Sequence, residues 1–116
     1  MKTKRRKLAW SMPAKRDLES VYAFLMARNP VAAKSFASEL RRIVRRLPAF
    51  PKTGAPLAGV PQRGEFRSIV LSHYRLIYRL GPEEIMIFRL WDCRQDPARL
   101  WENTTTRKKS ESTARV

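Results

Sequence analysis

Arginines on predicted strands are the side chains of this sequence best suited to binding chemistry. In the segment Tyr74–Leu80 (YRLIYRL), strand alternation places Arg75 and Arg79 on one face of the chain. A guanidinium there can grip a phosphate through two hydrogen bonds, or it can reach solvent and pair with an acid. Arg67 and Arg89, on the neighbouring strands, could lie beside Arg75 and build a cationic patch. The sequence leaves both uses of Arg75 open, because the strand register cannot be read from it.

Two further candidates lie near the ends of these strands. Arg94 follows the last strand and could point into the same open face, or it could pair locally with Asp92 or Asp96. His73, the only histidine, lies in a predicted turn and could act as a general acid or base, although a turn favours exposure to solvent. Cys93 has no second cysteine and no activating histidine, so we expect it to be a small core residue.

Cleavage of RNA by its own 2′-hydroxyl defines what these residues would have to supply. The reaction needs a base, an acid for the leaving oxygen and a cation for the developing charge. Arginine supplies only the cation, because it keeps its proton at neutral pH. The candidates for a ribonuclease site are Arg75, His73 and Arg94. Paired carboxylates, a glycine-rich phosphate loop and a nucleophile–base motif do not occur in the sequence.

A strong excess of positive charge runs through the whole chain. Lys and Arg number 25 against 10 Asp and Glu, and the net charge is +15. Setting aside the first seven residues and residues 104–116 leaves +7 between them, so the folded part is itself basic. Such a charge favours a polyanion or an acidic protein as partner. On the second predicted helix, the arginines opposite the apolar stripe are either a solvated face or the contact for an acidic partner: Arg41, Arg42, Arg45 and Arg46.

Two helices and four strands are predicted to position these residues. A strand at Lys7–Trp10 precedes a helix capped by Ser11, and Asn29 followed by Pro30 ends that helix and begins a second one. Prolines and glycines predict a loop over residues 48–64. Three strands with short turns then form an antiparallel meander, at Glu65–Leu71, Tyr74–Leu80 and Glu84–Trp91.

The order β-α-α-β-β-β predicts an α+β fold, in which a helical hairpin packs on a mainly antiparallel four-stranded sheet. The residues expected to pack the hairpin on the sheet are Leu18, Val21, Tyr22, Leu25, Phe36, Leu40, Ile43 and Val44. One domain should span residues 1–103, with a basic end at 1–6, and residues 104–116 should form a disordered basic tail. We expect one helical turn at Ala98–Glu102, no metal, no cofactor, no membrane span and a cytoplasmic address.

Several segments, in this order, resemble the RelE/ParE superfamily of toxins. The opening KLAWSMPAKRDLESVYAFLMARNPVAAKSF is similar to their first strand, "DL…Y" helix and "NP.AA" helix. Leu47-Pro48 followed by Gly54 and Pro56 resembles their connecting loop, and YRLIYRL and IMIFRLWDCRQDPARLW resemble later strands. The resemblance covers about residues 7–101.

The resemblance implies the toxin of a type II toxin–antitoxin system, bound in a hetero-oligomer by an acidic antitoxin that wraps the hairpin and sheet. RelE-type members cleave messenger RNA on the ribosome, whereas ParE-type members poison DNA gyrase. The RelE strand arginine is kept as Arg75, but the preceding basic pair falls near Phe66 and Ser68, and its C-terminal tyrosine has no match. These departures favour a ParE-like toxin acting on gyrase. A RelE-like ribonuclease and a non-toxic basic nucleic-acid-binding module are the alternatives.

Overall fold

The computed structural model describes residues 6–96 and 99–101. Its elements follow in this order: β1 (Lys7–Trp10), α1 (Met12–Arg28), α2 (Pro30–Arg46), β2 (Ala55–Pro56), β3 (Glu65–Leu71), β4 (Tyr74–Leu80) and β5 (Glu84–Asp92). The fold is α+β, as the sequence predicts, and the three meander strands lie where the pattern places them. The predicted tail at 104–116 lies outside the described residues, as do both ends of the helical turn predicted at Ala98–Glu102. Its middle, residues 99–101, forms a turn in which the Arg99 N–H donates to the Asp96 carbonyl at 3.0 Å.

Both helices begin at the caps that the sequence predicts. The Ser11 hydroxyl accepts a hydrogen bond from the Ala14 N–H at 3.1 Å, and the Asn29 side chain accepts one from the Ala32 N–H at 3.2 Å. A proline follows in the first turn of each helix, where its missing N–H needs no partner. Asn29 also ends α1, because its N–H donates to the Leu25 carbonyl. One residue therefore joins two antiparallel helices.

The sheet differs from the prediction of four mainly antiparallel strands. It has five strands in the order β1-β5-β4-β3-β2, and β1 pairs with β5 in parallel. The added strand comes from the loop predicted at residues 48–64, where Ala55 and Pro56 pair with Ser68 and Arg67. Proline is compatible with a strand only at an edge or bulge, and β2 is an edge strand. The proline-rich composition that predicted a loop therefore concealed a short edge strand.

The core lies between the hairpin and one face of the sheet. Tyr74, Leu76, Tyr78 and Leu80 of β4 face the helices and are buried, which confirms the predicted alternation. Phe36 and Leu40 are buried with them, and five predicted contacts are partly buried against the same cluster: Leu18, Val21, Leu25, Ile43 and Val44. Tyr22 does not join the cluster. It is half-buried and lines a groove between the two helices instead.

The opposite face of the sheet carries a smaller apolar cluster. Phe66, Ile77 and Leu100 are buried there. The rings of Phe66, Phe88 and Trp101 pack against one another in edge-to-face and tilted contacts, with centroids 5.1–6.0 Å apart. No helix covers this face within the described residues. The segment at 99–101 and the chain near Leu57 cover part of it instead. Within residues 6–96 and 99–101, no helix is both long and apolar enough to cross a membrane.

Tyr78 fastens the connection after α2 to the sheet. Its hydroxyl donates to the Pro51 carbonyl at 2.6 Å and accepts from the Gly54 N–H at 2.9 Å. Glycine is needed at position 54, because a Cβ would lie 2.8 Å from the Ser68 carbonyl oxygen and 2.9 Å from this hydroxyl oxygen. Burial raises the pKa of Tyr78 above its usual value of 10.0. The fold therefore needs the protonated phenol.

Replacing Tyr78 with phenylalanine should leave the Pro51 carbonyl and the Gly54 N–H without this partner. We expect the free energy of unfolding, measured with urea, to fall by about 1–3 kcal/mol at neutral pH. Because the folded pKa is raised, the hydroxyl stabilises the wild type fully below about pH 10 and less as the pH rises through the folded pKa. The difference between the two proteins should therefore shrink in alkaline solution. A difference that stays constant up to about pH 11 would contradict this role.

Candidate functional site

Arg75 lies on the sheet face that the helices do not cover. In the register it pairs with Val70 on β3 and with Trp91 on β5. The side chain is half-buried, and no residue in the described part of the chain forms a hydrogen bond or an ion pair with it. A guanidinium desolvated in this way attracts anions more strongly than a fully solvated one does.

Beside Arg75 the surface forms an open cleft of about 290 Å³, which we call the Arg75 cleft. Its walls are largely apolar, and Cys93 and Gln95 lie at the end of β5 beside them. The described residues that line it are Leu57, Ala58, Arg75, Ile77, Trp91, Cys93, Gln95, Leu100 and Trp101. None of these is a histidine, a tyrosine or a carboxylate. The arrangement can therefore bind an anion beside an apolar group, but apart from the Cys93 thiol these residues include none of the side chains that serve as general acid or base.

The predicted patch of Arg67, Arg75 and Arg89 does not form. Arg67 is the first of the two arginines that do not join Arg75. Arg67 pairs with Tyr78 and so lies on the face opposite Arg75. Its guanidinium donates to the Gly54 carbonyl at 2.6 Å and to Glu65 at 2.9 Å, which holds the loop after α2. The turn at Ser72-His73 decides this parity, because it pairs Leu71 with Tyr74. The turn predicted at the same residues was therefore a signal in the sequence for the face on which Arg67 lies.

Arg89 is also not a free cation, because it is buried and fully engaged. Its guanidinium forms a fork with Asp17 of α1, with Nε–Oδ2 and Nη2–Oδ1 distances of 2.8 and 2.9 Å. A third bond runs from Nη1 to the Leu100 carbonyl at 2.7 Å. Asp17 also accepts the Leu90 N–H at 2.9 Å. One buried ion pair thus joins α1, β5 and the segment at 99–101.

Sequence reasoning missed Asp17, although one signal was present. Asp17 follows Ala14 by three residues and precedes Val21 by four, so helical spacing places it on the inward face of α1. An acid at an inward position needs a buried cation as partner. The pairing of β1 with β5 ends at Ile87. Beyond it, Asp17 accepts the Leu90 N–H and the Ser11 hydroxyl donates to the Phe88 carbonyl, so these two side chains bond the edge of β5 in place of a neighbouring strand.

His73 and Arg94 meet each other but not Arg75. Both line a second open cleft, of about 350 Å³, between the β3–β4 turn and the hairpin. His73 is exposed, and Arg94 forms the local fork with Asp92 that was one of its two predicted uses, at 2.9 Å for both contacts. This hydrogen bonding lowers the pKa of Asp92 and raises the pKa of Arg94. The three candidates for a ribonuclease site are thus divided between two clefts.

Cys93 is exposed, so the prediction of a small core residue is wrong. It lies in the turn just after β5, where the backbone has left the sheet. Its N–H donates to the His73 carbonyl at 2.8 Å, so its backbone closes the end of the β4–β5 pair. Its position is decided by this backbone contact and not by burial of its side chain.

The predicted antitoxin-binding arginines lie together on the outer side of α2. All four are exposed, with Glu39 the one acid in contact with them among described residues, 3.2 Å from Arg42. Arg46 lies over the exposed ring of Phe50. Arg41 borders an apolar groove of about 610 Å³, which we call the hairpin groove; its other lining residues are Trp10, Leu18, Glu19, Tyr22, Ala23, Ala37, Leu40 and Val44. Arg41 thus joins the cationic side of α2 to an apolar surface that no element of the described chain covers.

Comparisons with known proteins agree on one family. The family described as "ParE toxin of type II toxin-antitoxin system, parDE" matches residues 8–97. Toxin ParE3 of Caulobacter vibrioides is 28% identical over 87 residues, which are 74% of this chain and 85% of that protein. A solved structure, described as the chromosomal ParDE TA system from P. aeruginosa, superposes with a TM-score of 0.61 at 23% identity. It covers 76% of this chain and 96% of that one.

Replacing Asp17 with asparagine should leave the Arg89 guanidinium buried without its counter-ion. We expect the free energy of unfolding to fall by about 3–5 kcal/mol, because an uncompensated buried charge is expensive. Glu39→Gln is the matched control: it breaks the exposed pair with Arg42 and should change stability little. Urea unfolding of the two variants beside the wild type measures both effects. Equal, small losses in the two variants would show that the Asp17 pair is not a structural joint.

Proposed function

The chain belongs to the ParE toxin family of type II toxin–antitoxin systems, and from that premise we propose that it inhibits growth by acting on DNA gyrase. As a toxin of such a system it has an antitoxin partner. The single observation that carries the proposed target is the composition of the Arg75 cleft. A lone unpaired cation among apolar walls suits the binding of a target protein.

The same cleft argues against the ribonuclease alternative. Attack by a 2′-hydroxyl needs a proton acceptor and a proton donor beside the cation. Apart from the Cys93 thiol, none of the described residues lining the Arg75 cleft supplies either, and His73 lies on the other cleft with Arg94. Arg94 is moreover engaged with Asp92. The charge-stabilising part of such a site is therefore present without a histidine, tyrosine or carboxylate to pair with it.

We assign antitoxin binding to the outer side of the helical hairpin. The hairpin groove offers apolar contact area and Arg41 borders it, while Arg42, Arg45 and Arg46 add exposed positive charge on the same helix. An antitoxin segment that alternates acidic and apolar side chains would satisfy both features. The Arg75 cleft lies on the other face of the sheet, so the two proposed surfaces do not overlap.

A gyrase supercoiling assay tests the target. The wild type should inhibit supercoiling, and Arg75→Gln should need about tenfold or more protein for the same inhibition, because it removes a charged contact. Arg79→Gln is the control: Arg79 lies on the same face of β4 and is equally half-buried, but it does not line the cleft. Codon-phased cuts in transcripts on translating ribosomes, absent with Arg75→Gln, would overturn the proposal in favour of a ribonuclease.

The same assay tests the antitoxin surface when the cognate antitoxin is added. The double variant Arg41→Glu/Arg45→Glu should inhibit gyrase like the wild type but need more antitoxin for relief, an effect that weakens as salt is raised. Lys15→Glu/Arg16→Glu, which reverses two exposed charges on α1, is the matched control. Equal antitoxin requirements for the wild type and both double variants would remove the arginines of α2 from the antitoxin contact.

A further inference from the structure

Trp91 forms one wall of the Arg75 cleft, and its indole N–H has no hydrogen-bond partner among residues 6–96 and 99–101. The nitrogen exposes less than 1 Å² and is the one buried side-chain polar atom so left in the described part of the chain. Folded proteins rarely leave a buried donor unsatisfied, and the exceptions mark places where a partner is supplied from outside or a group is held for function. Arg75, opposite Trp91 in the register, is a second donor group without an acceptor among the described residues.

The indole is held in place by the buried ion pair. The Arg89 guanidinium lies 5.3 Å from the centre of the Trp91 ring, and the same guanidinium is fixed by Asp17 and by the Leu100 carbonyl. A cation over the ring face attracts the aromatic electrons and restrains the ring. The Trp91 ring itself is therefore held in place before a ligand binds, which reduces the entropy lost at this one side chain.

The number of free cations selects the kind of ligand. Of the three arginines expected to form one patch, Arg67 is engaged by Glu65 and Gly54, and Arg89 by Asp17 and Leu100. Among the described residues that line the cleft, Arg75 is the one cation left to meet an anion, and the surrounding walls are largely apolar. A nucleic-acid strand would require several phosphate contacts in a row. One carboxylate beside an aliphatic side chain matches the cleft better.

We propose that the Arg75 cleft binds a segment of the target protein in which an aspartate or glutamate adjoins an aliphatic side chain. The carboxylate pairs with Arg75, the aliphatic group lies against Leu57 and Trp101, which line the cleft and are partly exposed, and the segment offers an acceptor to the Trp91 N–H. Because that nitrogen is buried, neighbouring side chains of the wall must shift to admit the acceptor. The inference rests on the proposed function, since it names the chemistry that the toxin recognises on its target.

Indole resonances give a direct test, because the chain has three tryptophans and two of them line the cleft. The full-length ¹⁵N-labelled protein is titrated with the peptide acetyl-Leu-Asp-Leu-amide, and with acetyl-Leu-Asn-Leu-amide as the matched probe. Single Trp→Phe variants assign the three indole signals. We expect the aspartate peptide to shift Trp91 and Trp101 but not Trp10, with an affinity about tenfold or more above that of the asparagine peptide. Equal affinities for the two peptides would overturn the proposal.

Variants separate the two donors. Arg75→Gln should abolish the preference for the aspartate peptide, whereas Arg79→Gln should keep it. Trp91→Phe keeps an aromatic ring and removes the N–H, so it should weaken both peptides. An unchanged affinity in Trp91→Phe would overturn the part assigned to the indole. The unshifted Trp10 signal reports that each variant is folded, and the comparison of the two peptides on the wild type needs no variant at all.

Other occupants give different results in the same titration. A single-stranded RNA that shifts Trp91 at lower concentration than the peptide would overturn the proposal in favour of nucleic acid. A Trp91 signal that moves when residues 104–116 are removed, with no peptide added, would assign the cleft to the chain's own terminal segment. The peptide titration contains no gyrase. Peptide binding without gyrase inhibition would therefore refute only the proposed target, and gyrase inhibition without selective peptide binding would refute only this inference.

Discussion

The Arg89 guanidinium forms the contact on which the arrangement of this molecule depends. It is 6% exposed and bonds Asp17 of α1 on one side and the carbonyl of Leu100 on the other. Asp17 in turn takes the N–H of Leu90 at the edge of β5, beyond the end of β1. A buried charge in this position demands all of its partners at once. The helical hairpin, the sheet edge and the closing segment are therefore held as a unit.

The bonds of Arg89 to Asp17 and to the Leu100 carbonyl also explain why the two faces of the sheet can contact different partners. On one side α1 and α2 bury the core and expose the hairpin groove, which Arg41 borders. On the other side Leu100 and Trp101, held by Arg89, build the wall of the Arg75 cleft. An antitoxin on the hairpin and a target at the cleft would contact opposite faces of one rigid layer. Asp17 and Arg89 are the residues that connect those faces through the interior.

The sequence predicts the elements well because their signals are local. Caps at Ser11 and Asn29, and alternation along β4, depend on residues a few positions apart. The fifth strand was missed because its pairing with β3 depends on register and not on composition. At the site, Arg75 was found, but the partners of Arg67 and Arg89 were not. Asp17 lies 72 residues from Arg89 in the chain, and no spacing rule joins residues that far apart.

The central claim is that Arg89 holds the closing segment on the sheet and so shapes the Arg75 cleft. Backbone ¹⁵N relaxation of Leu100 and Trp101 in the wild type and in Arg89→Lys tests it most directly. Lysine keeps the charge but cannot bond Asp17 and the Leu100 carbonyl together through a planar fork. We expect order parameters of about 0.85 for the Leu100 and Trp101 amides in the wild type and below about 0.6 in the variant. The order parameters of β4 should be the same in the two proteins. Equally rigid amides at Leu100 and Trp101 in the two proteins would contradict the claim.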